Sequence, residues 1–450
     1  MLLLISNKGE TLPLVYRLRK EGIPAEIYVH DLGHGRNYAG ILPRVGLGDL
    51  QNAIKRAEVI AIDTIQRNQK NARDLAFLSK FNISPNVPDL FGRFGDKHRQ
   101  THLVIGGGEQ VAEYELDRAK GVELAKKAGF AIPPYQDFKS LKQAARFLHS
   151  SEGRKRERWY FKADGNLDLD LTFDGTPEQL IDYLVHKIPK RLGTDAVNCI
   201  LQEAVDGDVV ELSREGWRGL DGKLTNPNST LENKRLHSRD SGPRVGCAVS
   251  TVWRDKNFEG VGHKQIQAAA NYFSGYVGAV DVNFILTNDL SPWFLEWTCR
   301  FGYSALYLLL TFILKGKIGN FFLNPFQTVW QDGFAASQVL SLYPFPPTAN
   351  NRTDFLQMIE GNLINEPVDK KGMWWLDVYQ DGMDNFRVGG SDGLVGVAVA
   401  HAETMEEAIH KAYHLVESIK ITGNKQFWPH DEHLKAHQDR YKKLQKWGVV

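Results

Sequence analysis

Cysteine is scarce in this sequence of 450 residues, which contains three: Cys199, Cys247 and Cys299. They show no CxxC spacing and their number is odd, so a disulfide framework and a thiolate zinc site are not expected. This cysteine usage is typical of a protein of the reducing cytoplasm.

Apolar runs long enough to cross a membrane are also missing. The longest run, Ala305 to Leu314, covers ten residues, whereas a spanning helix needs roughly 20. We therefore predict a buried helix there and no membrane partner. The opening "MLLLIS" lacks the basic region of a signal sequence and indicates a first β-strand.

Net charge is nearly absent, because 55 Lys and Arg residues stand against 54 Asp and Glu residues. The overall field gives no reason to expect nonspecific nucleic-acid binding, so any charged partner must be recognised by a local site. The length and the hydrophobic content of 42% predict about three domains.

The N-terminal segments alternate between strand and helix patterns, which predicts a βαβ unit and a small parallel sheet. Between the first strand and the first helix lies "SNKGE". This segment is either a plain turn or an anion cradle at a helix N-terminus. The plain turn is favoured because Gly9 is its only glycine.

Further along, "ELDRAKGVELAKKAG" predicts one helix that ends at Gly129. The basic run from Arg154 to Arg158 is interpreted as a solvated hairpin tip rather than a polyanion patch. From Cys199 the chain is β-rich, and after about residue 329 its pattern indicates a separate small α/β domain. The basic C-terminal segment predicts a surface helix.

Two segments carry polar residues at every second position. In "FLEWTCR" the side chains of Glu296, Thr298 and Arg300 share one face of a strand, and those of Leu295, Trp297 and Cys299 share the other.

The preceding segment "GAVDVNFIL" likewise places Asp281 and Asn283 together. The turn-forming "TNDLSP" between the two segments predicts an antiparallel hairpin. In this hairpin Asn283 lies opposite Glu296, and Asp281 lies opposite Thr298.

Two neighbouring carboxylates repel each other unless a cation neutralises them. A hard divalent ion fits this need, because Mg²⁺ takes one or two carboxylates together with substrate phosphates. Arg300 would reach the same phosphates, or an acyl oxyanion, through its bidentate guanidinium. The alternative is a surface hairpin with a charged outer face.

Other residues are candidates for a nucleotide site. Lys162 follows an aromatic strand and Lys120 lies near a helix start, although either would also be consistent with a solvated lysine. Glu203 and Glu211 bracket a "DG" turn, where backbone groups near Val205 would pair with an adenine edge. A simple hairpin remains the alternative.

In chain order these segments resemble the ATP-grasp superfamily and in particular the phosphoribosylamine-glycine ligases. The resemblance rests on "AKGVELAKKAGFAIPPYQDF", "KADG" at 162–165, "EAVDG" at 203–207, "ENKRLHSRDSGP" at 232–243, "LEWTCRFG" and the segment from "GLVGVAVAHA" to "SIKITG". It implies a mixed α/β and α+β fold with the ATP-grasp architecture. The implied domains are a Rossmann-like domain at 1–110, an ATP-grasp domain at 111–328 with its lid at about 132–200, and a small α/β domain at 329–450.

The resemblance also implies a reaction, in which ATP phosphorylates a carboxylate, ideally that of glycine, and an amine then attacks the acyl phosphate. The products are an amide, ADP and phosphate. The implied cofactors are ATP and Mg²⁺, with Mn²⁺ as an alternative ion. The implied site residues are Lys120 and Lys162 for ATP phosphates, Glu203 and Val205 for adenine, Glu211 for ribose, Asp281, Glu296 and Thr298 for the metal, Arg300 for the transferred phosphoryl group, and Lys234, Arg235 and Asp240 for the substrate loop.

The sequence departs from the family pattern where the family binds phosphates. The glycine-rich lid after "KADG" is replaced by "NLDLDLTF", and the N-terminal phosphate loop is reduced to "SNKGE".

Three interpretations therefore stay open. The first is a divergent phosphoribosylamine-glycine ligase. The second is a ligase that joins an amino acid to another amine, such as a modified nucleoside or a nucleic-acid base. The third is a non-catalytic nucleotide-binding protein. The expected partners are amino acid and amine substrates, with nucleic acid only under the second interpretation, and the expected state is a monomer or a homodimer.

Overall fold

The computed structural model describes residues 1–32, 36–163, 172–192, 194–205, 207–238, 241–301, 303–312, 317–323, 330–347, 352–391 and 393–450. Asp240, one of the predicted site residues, lies outside these ranges. Among the helices in these ranges, none combines the length and the apolar composition needed to cross a membrane.

The N-terminal part forms the parallel sheet that the sequence predicts, with the strand order β2-β1-β3-β4. The central strand β1 is buried on both faces, because alternate side chains enter two different hydrophobic cores. Its elements are β1 (Leu2–Ser6), α1 (Leu12–Lys20), β2 (Ala25–Val29), α2 (Leu50–Arg56), β3 (Val59–Ile62), α3 (Ala72–Lys80), α4 (Leu90–His98) and β4 (Leu103–Ile105).

The long helix predicted after this sheet is in fact two helices, α5 (Glu109–Leu116) and α6 (Arg118–Lys127). The break lies at Asp117, whose backbone is extended and whose side chain accepts a hydrogen bond from the backbone N–H of Lys120 at 3.1 Å. A capping aspartate starts a new helix because it satisfies a free N–H group of the first turn. Arg118 thereby becomes the first residue of α6.

A small antiparallel sheet follows, with the order β5-β8-β6-β7. The basic run Arg154 to Arg158 is exposed, as predicted, but it is not a hairpin tip, because it joins helix Leu141–His149 to strand Trp159–Ala163 and begins in a short 3-10 helix, Gly153–Lys155. The elements are β5 (Tyr135–Phe138), α7 (Leu141–His149), β6 (Trp159–Ala163), β7 (Thr172–Gly175), α8 (Pro177–Asp182), α9 (Ile188–Leu192) and β8 (Cys199–Glu203), with a π-helical turn at Tyr183–Lys187.

The remaining strands form a large mainly antiparallel sheet whose described path is β13-β12-β9-β10-β11-β14-β18-β15. Its elements are β9 (Val209–Arg218), β10 (Leu224–His237), β11 (Ser241–Arg254), α10 (His263–Ala270), β12 (Gly278–Thr287), β13 (Pro292–Trp297), α11 (Tyr303–Phe312), α12 (Ile318–Leu323), β14 (Phe334–Leu342), α13 (Arg352–Ile359), β15 (Met373–Trp375), β16 (Val378–Gln380), β17 (Phe386–Val388), β18 (Leu394–Ala402), α14 (Met405–Ser418), β19 (Lys425–Gln426) and α15 (His430–Lys446).

The large sheet runs across the predicted boundary between residues 328 and 329. Strand β14 pairs with β11 on one side and with β18 on the other. The predicted buried helix is α11, in which Leu306, Leu308 and Leu310 are buried. The predicted domain limits stay predictions, but the C-terminal strands share their backbone hydrogen bonds with the preceding part of the chain.

The C-terminal helix α15 is more buried than the surface helix that the sequence predicts. His433, His437 and Leu444 are buried on its inner face. Arg440 donates a hydrogen bond to the backbone carbonyl of Glu232 at 2.9 Å, so α15 is fastened to strand β10.

Candidate active site

A cavity of about 1390 Å³ is lined by residues of the N-terminal sheet, the small antiparallel sheet, the large sheet and helix α15. The site residues that the sequence predicts and that line this cavity are Lys162, Glu203, Val205, Glu211, Lys234, Asp281, Glu296, Thr298 and Arg300. Side chains from distant parts of the chain therefore meet in one place.

The predicted hairpin is formed by β12 and β13. Asn283 lies opposite Glu296 in the register, as predicted. Beyond the end of β13, the backbone N–H of Thr298 donates to the carbonyl of Asp281 at 3.0 Å, and the hydroxyl of Thr298 donates to Asp281 Oδ2. The neighbouring side chain of Val282 is buried in the core on the other face.

One residue of this hairpin lies on the face opposite to the predicted one. Phe284 pairs with Phe294 while Asn283 pairs with Glu296, so Leu295 is the extra residue of a β-bulge. Leu295 therefore lines the cavity instead of joining Trp297 in the core. The bulge also presents the carbonyl of Leu295 to the Nζ of Lys162 at 3.4 Å.

Glu296 is surrounded by cations. Its carboxylate lies 3.4 Å from the guanidinium of Arg118 and 3.3 Å from the Nζ of Lys234. Burial alone would raise the pKa of Glu296, but Lys234, Arg118 and Lys162 outweigh it and hold that pKa below its usual range. Glu296 is therefore ionised at neutral pH.

The same cluster shifts the pKa values of its two lysines, Lys162 and Lys234, in opposite directions. Burial, with the charges of Arg118 and Lys234, lowers the pKa of Lys162 to about 7. Burial would lower the pKa of Lys234 too, but Glu211, Glu296 and Glu232 overcome this effect and raise it above its usual range. An ATP phosphate entering the cavity would meet one firmly charged lysine and one lysine that gains a proton easily.

Asp281 is buried beside further carboxylates. Burial, with the charge of Glu232, raises the pKa of Asp281 to about 7, although its hydrogen bond from Thr298 opposes the shift. Its Oδ1 atom is buried without a hydrogen-bond partner.

These features fit a magnesium ion, because Mg²⁺ needs only one or two carboxylates when phosphates complete its shell. The described residues contain no set of three or more His, Cys, Asp or Glu side chains arranged as a complete metal site. Asp281, Glu296 and Thr298 are the residues that would hold the ion together with a nucleotide.

Arg300 lies on the cavity face, beyond the hairpin. Its Nε donates to Glu115 Oε1 at 2.8 Å, and the charge of Glu115 raises the pKa of the guanidinium despite burial. Glu115 thus fixes the orientation of Arg300. The guanidinium remains a permanent charge that can bind a carboxylate or a phosphoryl group.

The predicted adenine and ribose residues line the cavity beside the small sheet. The backbone N–H of Glu203 bonds to the carbonyl of Pro134 at 2.8 Å, and its carboxylate pairs with Arg156 at 2.7 Å. Glu211 pairs with Lys234 at 3.3 Å. Their roles toward adenine and ribose stay predictions.

Two predicted residues are placed elsewhere. The Nζ of Lys120 pairs with Glu113 at the surface, and its side chain is 46% exposed. Arg235 bonds to Asp174 at 3.2 Å and to the carbonyl of Gly242 at 3.0 Å. Neither residue lines the cavity.

The structure adds cavity residues that sequence reasoning missed. Arg118 lines the cavity and pairs with Glu296 at 3.4 Å, whereas the sequence predicts Lys120 of the same helix as the residue that binds ATP phosphates. Glu215 could have been found, because "ELSRE" places Glu211 and Glu215 at even spacing on one face of β9. Glu232 carried the same signal, because it lies two residues before Lys234 on β10, whereas Glu115 carried none, since its approach depends on the tertiary fold.

The turn "SNKGE" is closed by its own carboxylate. Glu10 Oε2 accepts hydrogen bonds from the backbone N–H of Lys8 at 3.1 Å and from the hydroxyl of Ser6 at 3.2 Å. In the following helix, Leu12 N–H is bonded to the carbonyl of Gly9, and Pro13 has no N–H to offer. The N–H groups of Lys8, Gly9 and Leu12 are therefore already bonded, and Pro13 offers none to an anion.

No protein-family model matches the sequence. A phosphoribosylamine-glycine ligase of Salmonella typhi is 21% identical over 94% of this chain and 96% of its own length. Among solved structures, the phosphoribosylamine-glycine ligase of Thermotoga maritima superposes with a TM-score of 0.65 at 17% identity, over 95% of this chain and 99% of that one.

A second solved structure is the biotin carboxylase domain of a 2-oxoglutarate carboxylase from Hydrogenobacter thermophilus, in complex with MgADP, ADP and bicarbonate. It superposes with a TM-score of 0.59 at 14% identity, over 95% of this chain and 91% of that one. These likenesses confirm the predicted fold. The chain has the ATP-grasp fold, and along nearly its whole length it resembles the phosphoribosylamine-glycine ligases.

Proposed function

We propose that this protein is an ATP-dependent carboxylate-amine ligase that forms an amide through an acyl phosphate, with an amino acid such as glycine as the acyl donor. The observation that carries the proposal is the meeting of Asp281, Glu296 and Arg300 with Lys162 and Lys234 in one cavity. The names of the sequence relatives and of the structural neighbours support it.

The proposed cofactors are ATP and magnesium, with manganese as an alternative ion. The neighbour solved with MgADP supports this assignment. When bound, the metal would neutralise phosphate charge and make the terminal phosphorus more electrophilic. Lys162 and Lys234 would bind the phosphates, and Glu203, Val205 and Glu211 would bind the nucleoside.

In the first step an oxygen of the donor carboxylate attacks the γ-phosphorus, and the bond to ADP breaks. In the second step the amine nitrogen attacks the acyl carbon, and inorganic phosphate leaves with the carboxylate oxygen. Arg300, held by Glu115, would stabilise the negative charge on the transferring group in both steps. Positioning and charge neutralisation supply most of such catalysis.

The closed turn at Glu10 supports an acceptor other than phosphoribosylamine. A phosphate at this end of the cavity would face the carboxylate of Glu10, which already accepts the hydrogen bonds of the Lys8 N–H and the Ser6 hydroxyl. We therefore favour the second interpretation, in which the same chemistry serves a different amine such as a modified nucleoside or a base. A non-catalytic role is disfavoured because Asp281, Glu296 and Arg300 line one cavity with Lys162 and Lys234.

An assay of ADP release over a panel of amino acids and amines tests the proposal. We expect release that depends on both partners in the wild type, and none with Glu296→Ala, because this change removes a metal carboxylate from between Arg118 and Lys234. Glu123→Ala, an exposed change on α6, is the matched control and should leave turnover unchanged. Full activity of Glu296→Ala would refute the metal assignment.

A further inference from the structure

Glu215 is a buried carboxylate for which the proposed reaction has no use. It is 6% exposed and lines the cavity. Its Oε1 atom has no hydrogen-bond partner, and no basic side chain among the described residues lies within ion-pair distance of it. A carboxylate buried without a basic partner destabilises a fold, and a cationic ligand would offset that cost at Glu215.

The register of the sheet places Glu215 beside the reacting groups. Glu215 lies directly opposite Asp281 in the pairing of β9 and β12, and Thr298 bonds to Asp281 from the other side. Neighbouring strands are about 4.8 Å apart, so Glu215 is two strand spacings from the segment that carries Arg300. A carboxylate and a guanidinium thus face one space across the Asp281 strand.

The nearby basic groups are already engaged. Arg300 is paired with Glu115, and Lys234 with Glu211 and Glu296. The wall next to Glu215 is apolar, because Trp217, Ala279 and Phe301 line the cavity and the rings of Trp217 and Phe301 stack at 5.4 Å. A cation for Glu215 would therefore come from a ligand bound in the cavity.

We propose that Glu215 binds the α-ammonium group of the amino-acid donor while Arg300 binds its carboxylate. This inference rests on the proposed function and deepens it. It makes Glu215 the residue that selects amino acids over simple carboxylic acids. Because Glu215 would contact substrate without taking part in phosphoryl transfer, its loss should affect donor binding and leave nucleotide binding intact.

The test uses hydroxylamine as a general acceptor, which converts an acyl phosphate to a hydroxamate. We compare glycine with acetate as donors for the wild type, Glu215→Gln and the exposed control Glu152→Gln. We expect Glu215→Gln to raise KM for glycine by about 10-fold or more, as for the loss of one charged hydrogen bond. KM for acetate, ATP and Mg²⁺ should not change.

Two results would overturn the inference. Equal KM values for glycine in the wild type and in Glu215→Gln would show that Glu215 does not contact the ammonium group. A parallel rise in KM for ATP or Mg²⁺ would make Glu215 part of the metal site instead.

Calorimetry separates this inference from the proposed function. Glycine and glycolate, which carries a hydroxyl in place of the ammonium group, are titrated into the wild type without ATP. Binding of glycine but not glycolate supports the role of Glu215, whether or not a hydroxamate forms. If no hydroxamate forms with any donor, the ligase proposal fails while the inference on Glu215 stands. Equal binding of both, or of neither, overturns the inference, and this comparison needs no variant to fold.

Discussion

At the scale of single residues, the charge distribution of the site depends on which basic side chains contact Glu296. The sequence places two basic residues, Arg118 and Lys120, in the first turn of the same helix. The capping aspartate between α5 and α6 directs Arg118 to Glu296, whereas Lys120 turns to Glu113 at the surface. We therefore assign the nucleotide-facing role on this helix to Arg118.

A pair of alanine variants tests this assignment. Arg118→Ala should raise KM for ATP by roughly 10-fold to 100-fold, the effect of losing one hydrogen bond to a charged group. Lys120→Ala should leave KM for ATP within about 2-fold, because exposed ion pairs contribute little. Steady-state kinetics of both variants measure these KM values. A rise in KM for ATP in Lys120→Ala but not in Arg118→Ala would instead support the original prediction for Lys120.

The pKa of Lys162 predicts a pH dependence of ATP binding. Because burial lowers this pKa to about 7, the free protein loses the lysine charge as the pH rises above 7. ATP phosphates favour the ammonium form of Lys162, so above pH 7 this lysine takes up a proton when ATP binds. The affinity for ATP should therefore fall by up to about 10-fold per pH unit above pH 7.

Fluorescence or calorimetric titrations between pH 7.5 and 9 measure this slope. Lys162→Met provides the reference, since it has no proton to exchange at that position and should show a flat profile. A wild-type affinity that is independent of pH, or that rises over this interval, would contradict the role of Lys162.

At the scale of elements, the sequence predicts what depends on local patterns. The alternation in "GAVDVNFIL" and "FLEWTCR", with the turn between them, was sufficient to predict the register of Asn283 and Glu296. The alternation could not predict the bulge at Leu295. A leucine at this position is equally consistent with a regular strand and with a bulged one. The break at Asp117 was missed because helix patterns continue on both sides of it.

The contribution of α15 also lay beyond the sequence. Its basic composition is typical of an exposed helix, but Arg440 and His437 bond to Glu232 and Asn233 of β10, and Trp428, just before the helix, bonds to the carbonyl of Arg235. These contacts hold the strand that carries Lys234. Helix α15 is buried because the chain after β18 brings it back against β10. No local sequence pattern predicts this packing.

A substitution in α15, which itself lines the cavity, should therefore weaken the anchoring of the strand that carries Lys234. Arg440→Ala removes hydrogen bonds to the carbonyl of Glu232 and to the side chain of Asn233. We expect the free energy of unfolding to fall by about 1–3 kcal/mol, together with a lower turnover. Denaturant unfolding measures the first effect. Lys446→Ala, an exposed change on the same helix, is the control, and equal stability of both variants would contradict the role given to Arg440.

At the scale of the whole molecule, the cavity exists because three sheets surround it. The small sheet contributes Lys162, the large sheet contributes Glu296, and the N-terminal sheet supplies the closed turn at Glu10. The order of these pieces was predictable from the resemblance to ATP-grasp ligases. The continuity of the large sheet through β14 was not predictable, because the sequence of a strand does not show which distant strand it pairs with.

The proposed reaction requires that a donor carboxylate is activated by phosphoryl transfer from ATP in this cavity. Transfer of ¹⁸O from a labelled carboxylate to phosphate tests it most directly, since the carboxylate oxygen stays with phosphorus when the amine attacks. Glycine labelled with ¹⁸O is incubated with ATP, Mg²⁺ and hydroxylamine, and the inorganic phosphate is examined by ³¹P NMR. Activation through an acyl phosphate places one ¹⁸O atom in each phosphate released, and unlabelled phosphate formed during turnover would exclude this route.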